Sequence, residues 1–251
     1  MIQYLYKYRP DDIYTIKLLC EQRLHFSHPD DFNDPFDCKP LCSKNVDDID
    51  ILFQSEQNFP WILELVKNNV DKIQSMVKNG EVQKTINDTL NWNYVCCFSY
   101  NPDIPAMWAH YAQDHYGLCL GFDSSIDSPF LIGSKGVVKY VERQTELNWT
   151  KIGSKEINTK SFFFEKAKEW EYEQEYRIVK SHWEIKDRQE TYNSFKKEAL
   201  VAMFFGLRMP QERQVFYMNL CKLCGLNNVV FHKMVMPTDG SYHLIPQRID
   251  K

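Results

Sequence analysis

The 251-residue chain lacks any long apolar run. Its longest, LVAMFFGL at 200–207, is about eight residues, against the roughly twenty that a membrane span needs. The opening MIQYLYKYRPDD has no apolar core of the kind a secretion signal carries, so a soluble, cytoplasmic protein with no membrane partner is expected. An excess of positive charge is also missing. Lys and Arg number 30 against 34 Asp and Glu, a net charge of −4, so no global field draws the protein to nucleic acid or anionic lipid. A local basic patch remains compatible with that balance.

Signature motifs are absent as well. There is no G-x-G-x-x-G, P-loop, G-x-S-x-G or kinase signature, which argues against a Rossmann dehydrogenase, a P-loop NTPase and an α/β-hydrolase. No H-E-x-x-H occurs. Cys221 and Cys224 make one C-x-x-C with no second pair nearby, and Cys38 and Cys42 are too far apart for a zinc knuckle. The eight cysteines are therefore expected to be ordinary thiols, with no metal and no structural disulfide.

What is present is a chain with ample core material: 43% apolar residues, including 16 Phe, 14 Tyr and 6 Trp. YLYKYR at 4–9 alternates like a strand, and Pro10 ends it. Asp11 or Asp12 can cap a helix over DDIYTIKLLCEQR, and LHFS at 24–27 reads as a short strand running into the ordered turn HPDDFNDPFD. Apolar residues at helical spacing predict two to four helices within about 45–93, broken at Pro60 and Gly80. YVCCFS at 94–99 is a buried strand, AMWAHYAQDHY a helix closed by Gly117, and LCLGFD a strand. GVVKYVE at 136–142 predicts one further strand, 143–160 an irregular polar stretch, SFFFEKAKEWEYEQ a helix and EYRIV a strand. ALVAMFFGLRM, PQERQVFYMNLCKLCG and NVVFHKMVM then give strand, helix and final strand, followed by a turn and extension. The fold class is α+β: a mixed or antiparallel sheet core with flanking helices, one domain over 1–251 carrying a helical insertion at about 45–93.

The chemistry-bearing residues gather in four phrases. Near the N-terminus, Lys7 and Arg9 share a strand face and suit an anionic ligand. In the following loop, Asn33, Asp34 and Asp37 hold turns and can line a pocket. In the central helix, Trp108, His110 and Tyr111 cluster; His110 and His115, five apart and about 140° round the helix, are badly placed to share a metal. The plainer reading of this aromatic helix is a core face. In WEYEQEYRIV at 170–179, Glu173, Glu175 and Arg177 would project to one side of a strand, where the arginine can hold a carboxylate ionised and aimed.

Taken together, LYKYRP, LHFSHPDDFNDPFD, CCFSYNPDIPAMWAHYAQDHYGLCLGFD and WEYEQEYRIV resemble the bacterial domain-of-unknown-function family 2971, some of whose relatives are described as abortive-infection proteins. More distantly, the strand-helix-strand opening ending in LHFS is similar to the start of the NAD-dependent ADP-ribosyltransferase fold, with Phe98, Met107 and Glu175 at matching points further on. That resemblance implies NAD as a substrate, with no metal. Lys7 or Arg9 would contact its ribose or phosphate, Ser27 its nicotinamide ribose, and Trp108 or Tyr111 would stack on a ring. Glu175 would hold the ribose 2′-hydroxyl and stabilise the oxocarbenium-like centre. The residues expected to form the pocket are thus Glu175, Tyr111 and His110 as catalytic groups, with Lys7, Arg9, Ser27, Asn33, Trp108 and Arg177 as binding groups. The implied activity is an ADP-ribosyltransferase or NAD glycohydrolase, in phage defence, with the acceptor left open between nucleic acid and protein. The alternative is a non-catalytic module that senses a ligand or binds a protein partner.

Overall fold

The computed structural model describes residues 4–45, 68–90, 92–126, 133–148, 159–181 and 191–249. The chain opens with β1 (Tyr4–Arg9), α1 (Ile13–Glu21), β2 (Arg23–His25) and the short β3 (Leu41–Cys42). Two helices follow, α2 (Val70–Lys78) and α3 (Glu81–Leu90), then β4 (Asn93–Ser99), α4 (Pro105–Tyr111) and β5 (Leu118–Asp123). The middle of the chain supplies β6 (Ser134–Val137), β7 (Lys139–Val141), β8 (Glu146–Leu147), β9 (Glu165–Ala167) and β10 (Glu175–Ser181). It closes with β11 (Tyr192–Ser194), β12 (Leu200–Phe205), α5 (Gln211–Leu223), β13 (Val230–Val235) and β14 (Ile245–Arg248).

Among the described residues, eight strands form one sheet in the order β14-β13-β12-β5-β1-β4-β10-β6. Its pairings are antiparallel except β12 with β13, so the fold is α+β with a mixed sheet. β5 is buried on both faces. Its Leu118, Leu120 and Phe122 join Leu18 and Leu19 of α1 and Tyr217 and Cys221 of α5 in one cluster. On the other face, Cys119 packs with Met107 and Trp108 of α4 and with Phe204 and Met234. Helix α1 starts where Asp12 Oδ1 accepts the Thr15 backbone N–H at 2.7 Å, an N-cap that satisfies one of the first-turn donors. It ends at Gln22, whose φ of 48° reverses the chain into β2.

The sheet parts between β1 and β4. β1 is in register with β5 at six consecutive positions, Tyr4 to Arg9, and β4 with β10 at seven, Asn93 to Ser99. Between themselves, β1 and β4 are paired only at Tyr6 and Ser99. Backbone groups at such a gap need other partners. Val95 exchanges two hydrogen bonds of 2.9 Å with Ser27, and the Lys7 ammonium reaches across to the Cys97 carbonyl at 3.0 Å. This gap is the mouth of the cavity described below.

Several local expectations are corrected. Residues 161–174 do not form a helix: two 3-10 segments, Thr159–Phe164 and Lys168–Glu173, flank β9, which pairs with β7. Helix α4 stops at Tyr111, well short of Gly117, because Gln113, Asp114 and His115 take φ of 50°, 50° and 72°. The 136–142 strand is two, broken where the Val138 N–H donates to the Glu175 carbonyl at 2.9 Å. β8 interrupts the stretch read as irregular, pairing with β3, and the C-terminal extension holds β14 against β13. Of the helical insertion, α2 and α3 are seen with Gly80 between them at φ 83°; the predicted helices around Pro60 lie outside the described residues. Gln83 ties α3 to the β3 segment through the Pro40 carbonyl and the Cys42 N–H. All eight cysteines are free thiols.

Candidate functional site

A cavity of about 310 Å³ opens where β1 and β4 separate. One wall is β1, with Lys7 and Arg9; another is β4, with Cys97, Phe98 and Ser99; the loop after β2 contributes Ser27, Phe32, Asn33 and Asp37. The same lining includes a cluster of five charged side chains, Asp37, Lys166, Glu173, Glu175 and Arg177, none more than 6% exposed.

Arg177 is the hub of that cluster. Its Nε and Nη2 donate to the two Glu175 oxygens at 2.9 and 2.8 Å, and its Nη1 and Nη2 donate to the two Asp37 oxygens at 2.7 and 2.6 Å. Nη1 also donates to the Phe163 carbonyl at 2.9 Å. A guanidinium has five N–H groups, so this one has none left for a ligand. Lys166 Nζ donates to Glu173 Oε2 at 2.5 Å and lies 3.6 Å from Glu175 and 3.5 Å from Asp37. Tyr111 donates its hydroxyl proton to Glu173 Oε1 at 2.6 Å and accepts from the Asn33 amide at 3.1 Å. The Tyr140 hydroxyl accepts the Glu175 backbone N–H at 2.8 Å, and the Ser99 hydroxyl donates to the Glu173 carbonyl at 2.7 Å.

The two glutamates are driven apart electrically. Burial pushes the Glu175 carboxyl up, but Arg177 and then Lys166 overcome it and bring it down to about 2. Burial, the largest influence on Glu173, prevails there over the attraction of Lys166, and its carboxyl is raised. Burial also pushes the Tyr111 hydroxyl up, and the Glu173 charge adds to it. A pair of carboxyls with opposed shifts can divide labour, one staying ionised and the other exchanging a proton.

Of the residues the sequence singled out, Lys7, Arg9, Ser27, Asn33, Tyr111, Glu175 and Arg177 all line this cavity. Two do not. Trp108 is fully buried between the sheet and α4, its ring 5.3 Å from Tyr8 and its indole N–H donated to the Pro102 carbonyl at 2.8 Å, so it cannot stack on a ligand. His110 is on the exposed side of α4, its ring 6.3 Å from Tyr111 and 6.2 Å from Tyr172, outside the cavity lining. Arg177, expected to bind ligand, instead positions Glu175. Glu173 ends a 3-10 turn rather than sharing the strand face of Glu175. Asp37, Lys166 and Glu173 are polar members of the site that the sequence did not assign to it. Asp37 carries the signal of a turn former that can line a pocket, without pointing to Arg177, and Lys166 carries none, since its segment has the spacing of a helix.

Among the described residues, no group of three or more His, Cys, Asp or Glu is arranged to hold a metal ion, and no helix is long and apolar enough to cross a membrane. The fold and site define an α+β protein with a cavity lined by charged side chains at a split in its sheet. Residues 107–178 match the model of a family described as a protein of unknown function, DUF2971. The matched stretch carries Tyr111, Lys166, Glu173, Glu175 and Arg177, whereas Lys7, Arg9, Ser27, Asn33 and Asp37 precede it. No curated protein and no solved structure matches the chain.

Proposed function

We propose that the cavity binds a nucleotide, and that the nucleotide is NAD, cleaved at its nicotinamide–ribose bond in an ADP-ribosyltransferase-like reaction. The observation that carries this is the presence, in the lining of one small cavity, of two cations on β1 together with Glu175, which Arg177 and Lys166 hold ionised. Lys7 and Arg9 suit a pyrophosphate. Glu175 has lone pairs beyond those used by Arg177 and lines the same cavity, where it would meet the ribose. As the C1′–N bond breaks, its electron pair leaves with nicotinamide and C1′ becomes cationic; a preorganised carboxylate in a dry site stabilises such charge by several kcal/mol. The acceptor oxygen or nitrogen then bonds to C1′ and releases a proton, which Glu173, with its raised affinity, is suited to take up. Consumption of NAD in this way would halt growth, the outcome expected of a phage-defence protein.

The test is incubation with NAD and candidate acceptors, read by mass spectrometry for free nicotinamide and for acceptors heavier by one ADP-ribose. Glu175→Gln should abolish both products while the protein stays folded.

One observation favours a second reading. Every N–H of Arg177 is used internally, and the Glu175 charge is matched by Arg177 and Lys166. A cavity neutralised in this way can sense a nucleotide without turning it over. Saturable NAD binding with no nicotinamide released by any preparation would select that reading.

A further inference from the structure

A second and larger concavity, about 640 Å³, borders β1 as well, lined by residues of α1 and of the two-stranded ribbon of β2 and β11. Its floor is Lys7 and Arg9, which therefore line both cavities. Lys17 projects into it from α1 and Arg23 from β2, both on the exposed surface. Two carboxylates, Asp12 and Glu21, also border it, but Asp12 is engaged in capping α1 and lies 4.0 Å from Arg9. Four cations against two carboxylates make this groove locally basic in a chain whose net charge is −4. Its walls also carry aromatic rings: Tyr14 is 62% exposed and Tyr192 is 40% exposed, the latter tilted over His25 with ring centroids 4.9 Å apart.

We infer that this groove binds single-stranded nucleic acid. Cations that follow a backbone, interleaved with exposed rings on which bases stack, are the two parts that non-sequence-specific strand binding needs. A simple polyanion site would need only the cations. The positive field is felt locally: the His25 ring has a lowered proton affinity, first from burial and then from Lys7 and Arg9, with Asp31 acting the other way. Because Lys7 and Arg9 form a shared wall, a strand in the groove lies next to the cavity. If the cavity transfers ADP-ribose, the groove would present its acceptor; the binding itself does not depend on that chemistry.

The experiment is fluorescence anisotropy of labelled oligothymidylate and oligouridylate of about ten nucleotides, a length within the range such sites cover. No NAD is present, so failure here and failure of the NAD reading are separate results. Binding should weaken as salt rises, with a log–log slope of roughly −0.7 per phosphate neutralised. Lys17→Glu with Arg23→Glu should abolish it, and Tyr14→Ala or Tyr192→Ala should weaken it roughly 5- to 150-fold. All four side chains are on the surface, and circular dichroism of each variant checks that it folds. No binding at low salt overturns the inference. So does binding that both tyrosine variants leave unchanged and that inorganic polyphosphate displaces, since that describes a polyanion site without bases. Binding unaffected by the paired charge reversals places the strand elsewhere and overturns it equally.

Discussion

Arg177 holds Asp37 through two parallel hydrogen bonds, Nη1 to Oδ1 at 2.7 Å and Nη2 to Oδ2 at 2.6 Å, with both side chains at most 1% exposed. This contact joins β10 to the loop after β2 across 140 residues of sequence. Removing one partner of a buried pair strands the other charge, which costs about 3–5 kcal/mol. Asp37→Asn should therefore lower the free energy of unfolding, read by urea titration, by that amount. The exposed pair of Lys168 and Glu171, 44% and 56% exposed, is the control: Glu171→Gln should change stability by no more than about 0.5 kcal/mol.

Acid should act chiefly through Glu175. Its carboxyl falls from 4.5 in the unfolded chain to about 2 when folded, so its contribution is complete above pH 4.5 and is lost as pH falls toward 2. Glu173 works in the opposite sense. Its raised affinity means that keeping it ionised costs stability at neutral pH, a cost relieved on acidification. Urea midpoints measured from pH 7 to pH 2 should decline through the 4.5–2 window in the wild type, with the decline blunted in Glu175→Gln. Glu173→Gln should leave the decline in place and cost less at pH 7 than Glu175→Gln does.

Trp108 and Tyr111 neighbour each other in the helical register but belong to different environments. Trp108→Ala should cost about 3–5 kcal/mol, as a large ring leaving a filled core, with ligand affinity unchanged once the variant is compared at a temperature where it is folded. Tyr111→Phe removes one hydrogen bond, about 0.5–1.5 kcal/mol, and should raise the Glu173 carboxyl further, because the Tyr111 bond favours its ionised form. Infrared titration of the carboxyl band would read that shift.

The turn after α4 requires glycine at 117. A Cβ there would collide with the carbonyl oxygens of Arg9 and Ala112, both backbone atoms that cannot move aside cheaply. Gly117→Ala should destabilise the protein by about 1–3 kcal/mol. It should also weaken ligand binding, since the strain falls on the β1 wall that carries Arg9. Calorimetry and a binding isotherm on the same variant would check both effects.

Elements with plain periodicity were legible in the sequence. β1, α1, β4, β5, β10, β12, α5 and β13 fall where alternation, caps and Pro or Gly punctuation put them. The segment 159–173 was not, because its conformation is decided by tertiary contacts: Lys166 is drawn into a buried nest of three carboxylates, and β9 pairs with a strand 26 positions earlier. A lysine and glutamates at near-helical spacing normally mean a solvated face, and nothing local distinguishes this case. The same limit explains Asp37, whose partner is remote, and Trp108, whose helix turns its aromatic face to the core rather than to the cavity. Lys7, Arg9 and Glu175 were legible because strand alternation and a strand-opening acid do not depend on distant partners, and Tyr111 because the helix it closes is set by local spacing.

The central claim is that Glu175 and the β1 cations act on one bound nucleotide. The most direct measurement is nicotinamide release from NAD by wild type, Lys7→Met and Glu175→Gln, run beside a calorimetric NAD titration of each. The account predicts release by the wild type, weaker NAD binding in Lys7→Met, and near-wild-type binding without release in Glu175→Gln. Equal release by wild type and Glu175→Gln, or no NAD binding by the wild type, would contradict it.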